Sequence, residues 1–197
     1  MAQIKFIEGG NIFNSKMETL TNPVNCIGVM GKGLAKQFKI LYPVMFQDYK
    51  LKCRQNKISI GEPYIYKTTH HNNPCINVKI LNFPTKTDWR YSSKLEYIER
   101  GMIYLCSKIE EWKIKSLALP GLGCGCGGLE WESVEEVIVK YLNQINDNII
   151  VEIYKPKTIS NNKMYNTNEK YKNKTRHKNN NKRPLNTTNF FADIENE

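Results

Sequence analysis

Long apolar runs are missing from this sequence. None approaches the 18 or so residues of a membrane-spanning helix, which excludes a helical membrane protein. The opening residues Met1-Ala2-Gln3-Ile4-Lys5-Phe6 lack the charged and apolar regions of a signal peptide. The expected compartment is therefore the cytoplasm, or a host's cytoplasm or nucleus if the source is viral. Histidine is scarce, with only His70, His71 and His177, and the Cys124-Gly125-Cys126 pair does not have structural zinc spacing. No metal site is expected. Cys26, Cys53, Cys75 and Cys106 are scattered singly and read as small core residues in a reducing compartment. No Gly-Lys-Ser/Thr closes a Walker A loop, and no G-x-G-x-x-G stands in frame with a downstream ribose acid. What remains is 197 residues at 40% hydrophobic, enough for the core of one compact domain.

The formal net charge is +10, unevenly spread. Residues 156–197 hold nine Lys/Arg against four Asp/Glu and contain eleven Asn. Between Asn161 and Asn189 large apolar residues are nearly absent, so burial cannot offset the entropy of ordering. The expectation is a domain over 1–155 and a disordered basic tail over 156–197, with Phe190-Phe191-Ala192-Asp193-Ile194 as a short docking motif. Two readings of the tail stand side by side. It is a nucleic-acid tether, or it reflects an AT-rich genome that enriches Asn, Lys, Ile and Tyr along the whole chain.

Strands are expected at Gln3–Ile7, Met17–Val24, Pro63–Lys67, Cys75–Phe83, Ser116–Leu119 and Asn148–Tyr154. Leu34, Phe38 and Leu41 recur at helical spacing and stop before Pro43; Met45, Phe46 and Tyr49 mark a second helix. Ser93 and Glu96 read as a capping box ahead of Leu95, Ile98, Met102, Leu105 and Ile109 on one face. Ser133 and Glu136 read as another, ahead of Val134, Val137, Ile138, Tyr141 and Ile145. Alternating strands and helices predict a layered α/β domain.

Two loops are rich in glycine. Gly28-Val29-Met30-Gly31-Lys32-Gly33 runs directly into a helix, where free N–H groups favour an anion. Gly121-Leu122-Gly123-Cys124-Gly125-Cys126-Gly127-Gly128 follows a strand. Together they point to a phosphate-bearing ligand, with a diphosphate held between them. A third segment, Asn82-Phe83-Pro84-Thr85-Lys86-Thr87-Asp88-Trp89-Arg90, follows a strand where α/β folds place ligands. Lys86 there lies on backbone fixed by its flanking elements. Trp89 either stacks a base or packs on the core.

Leu20-Thr21-Asn22-Pro23-Val24-Asn25, Gly28 to Lys36, Asn82 to Arg90 and Leu119 to Trp131 fall in order along the first 155 residues. In combination they resemble the macro domain family, and within it the DarG-type branch, the DNA ADP-ribosyl glycohydrolase antitoxins. The resemblance implies a three-layer α/β/α domain with a mixed central sheet that binds ADP-ribose in a cleft, without a cofactor. It places Asn11 and Ile12 near the adenine, where many members carry an aspartate in place of Asn11. Tyr154 is placed like the aromatic that covers adenine. Asn22 lies in the ligand-binding stretch, and Asn25 looks like the asparagine that contacts the distal ribose. Gly28, Val29, Met30, Gly31, Lys32 and Gly33, with Gly121, Gly123, Cys124, Gly125, Cys126 and Gly127, would wrap the diphosphate and that ribose.

Lys86 is similar to the catalytic lysine of that branch and of the related terminal ADP-ribose glycohydrolases. The latter also use an aspartate in the second glycine loop. Cys126-Gly127-Gly128 stands there instead, which favours a nucleic-acid substrate over an acyl-linked protein. The implied reaction breaks the glycosidic bond of ADP-ribosyl-thymidine in DNA, with Trp89 and Arg90 contacting the nucleic acid. The implied functional partner is a DNA ADP-ribosyltransferase, and a monomer is expected. Three alternatives stay open: a reader that binds ADP-ribose without cleaving it, a hydrolase of acyl-linked ADP-ribose on proteins or of O-acetyl-ADP-ribose, and an RNA-directed version of the hydrolase.

Overall fold

The computed structural model describes residues 1–68 and 78–156. Apart from Pro156, the expected tail lies outside the described residues, as do His70, His71 and Cys75. Among the described residues no helix is long and apolar enough to cross a membrane, and no group of three or more His, Cys, Asp or Glu is gathered for a metal.

Six strands form one sheet: β1 (Gln3–Ile7), β2 (Thr19–Asn25), β3 (Tyr64–Lys67), β4 (Lys79–Lys86), β5 (Ser116–Pro120) and β6 (Ile150–Tyr154). Their order is β1-β6-β5-β2-β4-β3, parallel throughout except where β3 pairs antiparallel with β4. Four helices cover it: α1 (Gly33–Leu41), α2 (Pro43–Arg54), α3 (Leu95–Lys108) and α4 (Trp131–Leu142). Strand alternation sorts the core onto two faces. Leu81, Phe83, Leu117, Leu119, Val151 and Ile153 pack with Ile98, Met102 and Leu105 of α3 and Val134 and Ile138 of α4. Ile80, Ala118, Leu20 and Val24 pack with Phe38 of α1 and Met45, Phe46 and Tyr49 of α2. The expected α/β/α layering with a mixed sheet is present.

Several element edges differ from expectation. β2 begins at Thr19, β4 at Lys79 and β6 at Ile150. Neither capping box forms. Lys94 and Glu130 occupy the N-cap positions of α3 and α4, and neither helix has a side-chain cap. The Ser93 N–H donates to the Gly127 carbonyl (2.9 Å), so this residue serves the second glycine loop rather than the helix. Ser133 falls inside the first turn of α4, which starts two residues earlier than read. Leu41 and Leu95 are exposed, so the apolar stripes of α1 and α3 are narrower than their spacing implied.

Two features of the packing set the position of the cleft. β2 and β5 pair only at Thr19–Leu117 and Leu20–Ala118 and then part, and Pro23 has no N–H with which to extend a ladder. The parted ends carry Pro23, Val24, Asn25 and Pro120 into the cleft wall. On the other face α3 lies against β4 at Gly101, where a Cβ would sit 2.2 Å from Phe83 Cζ. Phe83 is fully buried and cannot swing away. The helix-propensity gain of Gly101→Ala, about 1 kcal/mol, is smaller than the overpacking it causes, about 1–3 kcal/mol. A net loss of stability is expected, and a urea midpoint equal to or above that of the wild type would contradict it.

Candidate active site

The cleft lies at the carboxyl edge of the parallel strands and has a volume of about 950 Å³. The two glycine loops meet across it. A Cβ on Gly33 would lie 3.8 Å from Cys126 Sγ.

The first loop is held by Asn25. Its Oδ1 accepts from the Ile27 (3.0 Å) and Val29 (3.3 Å) N–H groups, and its Nδ2 donates to the Val29 carbonyl (2.6 Å). This is an Asx-type turn, a side chain standing in for backbone. The Tyr49 hydroxyl of α2 donates to the Asn25 carbonyl at 2.7 Å and lies 3.0 Å from its Oδ1. Burial, the larger cause, and the nearby Cys53 push that phenol far above its ordinary range, so it remains a donor. Gly28 turns at φ +83° against Lys50 and Cys53 of α2, a conformation that glycine adopts without strain. The loop then enters α1 with Lys32 as N-cap, no side-chain cap and no acid in the first turn. Gly33, Leu34 and Ala35 line the cleft there, and the first N–H groups of a helix have no partner within it.

The second loop needs glycine at positions 123 and 127. A Cβ on Gly127 would fall 2.1 Å from the Gly123 carbonyl oxygen and 2.4 Å from Ser93 Oγ. The loop closes on itself through Leu129 N–H to the Gly123 carbonyl (3.0 Å), and Gly121 N–H donates to the Tyr154 carbonyl (3.1 Å). Lys86 is the last residue of β4, and its Nζ donates to the Cys126 carbonyl. A single ammonium thus bridges a strand end and the second loop at the cleft wall. At the far end Gly10 packs under Tyr154, where a Cβ would meet Ile7 Cγ2 at 2.6 Å and the Tyr154 ring at 2.9 Å. The Tyr154 hydroxyl donates to Glu152 Oε2 (2.9 Å), which also accepts from Ser15 Oγ (2.7 Å).

Most residues expected from sequence line this cleft: Asn11, Ile12, Asn25, Val29, Gly31, Lys32, Gly33, Lys86, Trp89, Gly121, Gly123, Gly125, Cys126, Gly127 and Tyr154. Five do not. Asn22 is fully buried, and its Nδ2 donates to Asn82 Oδ1 (2.9 Å) across the β2–β4 register. Met30 is buried beside it, 3.9 Å from the same nitrogen. Gly28 packs on α2, and Cys124 turns into the core formed with α3 and α4. Arg90 stands outside the cleft, paired with Asp88 (2.5 Å). The first four are supports of the site rather than its surface. Gly9, Gly10, Thr85, Gln37 and Lys155 also line it and were not read from sequence as contacts. The Gly9-Gly10 pair directly after β1 was an available signal. Burial raises the thiols of Cys26, Cys106 and Cys124 to about 11, which leaves them protonated and unreactive at neutral pH.

Residues 21–138 match the model of the Macro domain. The chain belongs to the macro domain family. A DNA ADP-ribosyl glycohydrolase of Mycobacterium tuberculosis is 44% identical over 147 residues, 75% of this chain and 41% of that protein. The chain thus spans about two fifths of the length of the curated relatives it matches. The solved macrodomain of Mycobacterium tuberculosis DarG superposes with a TM-score of 0.73 at 42% identity, over 79% of this chain and 99% of that one. Thermosipho africanus DarTG in complex with ADP-ribose gives a TM-score of 0.73 at 36% identity, over 79% of this chain and 42% of that one. The resemblance to DarG-type macro domains read from the sequence motifs therefore extends to the whole fold.

Proposed function

We propose that this macro domain is an ADP-ribosyl glycohydrolase that removes ADP-ribose from nucleic acid, with ADP-ribosyl-thymidine in DNA as its first substrate. The observation that carries the reading is Lys86: an ammonium fixed at the end of β4, tied to the second glycine loop and facing the cleft. The ADP-ribose complex of the Thermosipho africanus relative supports the ligand, and the name of the Mycobacterium tuberculosis relative supports the reaction. In this reading Tyr154, Asn11 and Ile12 receive the adenine. The first turn of α1 and Lys32 receive the diphosphate. Asn25 receives the distal ribose. One amide hydrogen of Asn25 is bound to Val29, which leaves a single donor for the sugar.

In the reaction the bond between C1 of the distal ribose and the base nitrogen breaks, and its electron pair leaves with the base. Positive charge develops on the sugar beside the diphosphate and the loop dipoles. Lys86 delivers a proton to the departing base, the oxygen of water bonds to C1, and the proton that water gives up returns to the neutral Lys86 amine. A reading in which acyl-linked ADP-ribose is the substrate loses support at Gly127, which has no space for a side chain, and at Cys126, which brings no carboxylate. ADP-ribosyl-thymidine in DNA implies a transferase that attaches ADP-ribose to DNA, and we place this chain as the reversal of that step.

The test offers the protein a single-stranded oligonucleotide with one ADP-ribosylated thymidine and, separately, a glutamate-linked ADP-ribosyl protein. Release of ADP-ribose from the DNA alone is expected. Tight ADP-ribose binding in calorimetry with no release from either substrate would make the protein a reader instead.

A further inference from the structure

The turn that follows Lys86 carries features the hydrolase chemistry does not use. Trp89 and Tyr91 are 56% and 62% exposed, among the largest apolar side chains left open to solvent. The turn beneath them is not loose. Asp88 is buried, and its Oδ1 accepts from the backbone N–H (2.9 Å) and the Nε (3.0 Å) of Arg90. Tyr91 N–H closes the turn on the Asp88 carbonyl (3.2 Å). The Thr87 carbonyl accepts from Cys26 N–H (3.1 Å) at the base of the first glycine loop, and Ser93 N–H bonds the second at Gly127 (2.9 Å). Arg90 hydrogen-bonding holds the Asp88 carboxyl at about 2, below its ordinary 3.8. The clamp is therefore intact above the ordinary carboxylate range and is lost only as the pH falls through about 2.

A turn held by these hydrogen bonds that displays two exposed aromatic side chains is a stacking platform. Its charge suits a polyanion: Lys86, Arg90 and Lys94 stand within nine residues against the single carboxylate of Asp88, already neutralised by Arg90. The Arg90 guanidinium lies 6.0 Å from the Trp89 ring centroid, so the cation and the ring share one face. Trp89 also lines the cleft, which makes the platform continuous with the site of reaction.

We propose that Trp89 and Tyr91 stack bases of the strand flanking the modified nucleotide, with Arg90 on the phosphate between them and Asp88 positioning the turn. Aromatic stacking is tolerant of base identity, and phosphate contacts position without reading sequence. The platform thus selects for an unpaired strand extending beyond the modified nucleotide. This rests on the hydrolase reading for its substrate, but its test does not require turnover. Binding of a fluorescein-labelled, unmodified ten-nucleotide single strand to the full chain is followed by anisotropy. Tyr91→Ala is expected to weaken binding by about fivefold, the low end of what one stacked base contributes. Tyr91→Phe is expected to restore it, because the ring and not the hydroxyl stacks. Unchanged affinity in Tyr91→Ala, at a salt concentration high enough to screen contacts of basic side chains to phosphate, overturns the platform. Equal loss in Tyr91→Phe and Tyr91→Ala overturns it as well. If the hydrolase reading fails and no ADP-ribose is released, the anisotropy result still decides the platform. If turnover occurs, the preference for an oligonucleotide over the isolated modified nucleoside diphosphate is expected to fall in Tyr91→Ala by the same factor.

Discussion

Replacing Lys86 by alanine is expected to lower turnover of ADP-ribosylated DNA by about 10²–10⁴-fold, the range that a positioned proton donor contributes. Affinity for ADP-ribose itself should change little. The second glycine loop loses its bond from Nζ but keeps those from Ser93 and Leu129, so the ligand-facing backbone stays in place. Single-turnover release measured beside calorimetry separates the two quantities. A parallel collapse of binding would mean that Lys86 builds the site rather than acts in it. Lys86→Arg then divides the chemistry further. Arginine keeps the positive charge but does not attack carbon. Retained turnover in that variant rules out a covalent lysine–sugar intermediate and leaves Lys86 a charge and hydrogen-bond role, because a guanidinium does not give up its proton. Loss in Lys86→Arg without any covalent adduct is the result expected of a proton donor. Loss in both variants, with a mass increase of one ADP-ribosyl unit on the wild-type protein, would establish nucleophilic attack by the neutral amine.

Gly127→Ala is expected to be nearly as severe for a different reason. The added carbon has a backbone oxygen 2.1 Å away and the Ser93 hydroxyl 2.4 Å away. A carbonyl cannot rotate aside as a flexible side chain can. The loop must move by the order of an ångström, and displacement of that size costs about 10²-fold in rate. The Cys126 carbonyl moves with it and takes the anchor of Lys86 along. Global stability should fall by only about 1–3 kcal/mol, the usual cost of overpacking. Gly125→Ala is the matched fold control: its added carbon meets nothing within 4 Å, so its melting temperature should equal that of the wild type. Wild-type kcat/KM in Gly127→Ala would show that the loop is not the rigid element described here.

Local chemistry was legible in the sequence where one segment determined it. The glycine runs and the helical spacing of Ile98, Met102 and Leu105 correspond to what is observed, while the strand expected to end at Phe83 runs on to Lys86. Errors came where a distant segment decides the role of a residue. Asn22 stands in a motif that looks ligand-facing, yet the β2–β4 register sets it opposite Asn82, and no local pattern reveals that pairing. Ser93 has the spacing of a helix cap, but its N–H is committed to Gly127, 34 positions on. Arg90 was read as a nucleic-acid contact, and no local pattern showed that Asp88 two residues back would fix its guanidinium in place. Asn25 shows the converse. It was read as a ligand contact from resemblance alone, and its side chain proves also to organise the first loop through bonds within four residues, a signal that the spacing to Gly28 did contain.

The bare start of α1 has a thermodynamic meaning. A helix opening on Lys32, with neither a capping oxygen nor a carboxylate in its first turn, is left unfinished by its own sequence, since an ordinary cap contributes about 1 kcal/mol. A diphosphate seated there would supply the missing acceptors, so the nucleotide acts as the last residue of the fold. Ligand affinity and the ordering of α1 then become one quantity. Any substitution that installs a good cap at position 32 would make the free protein more stable and its grip on the ligand weaker, trading the one against the other.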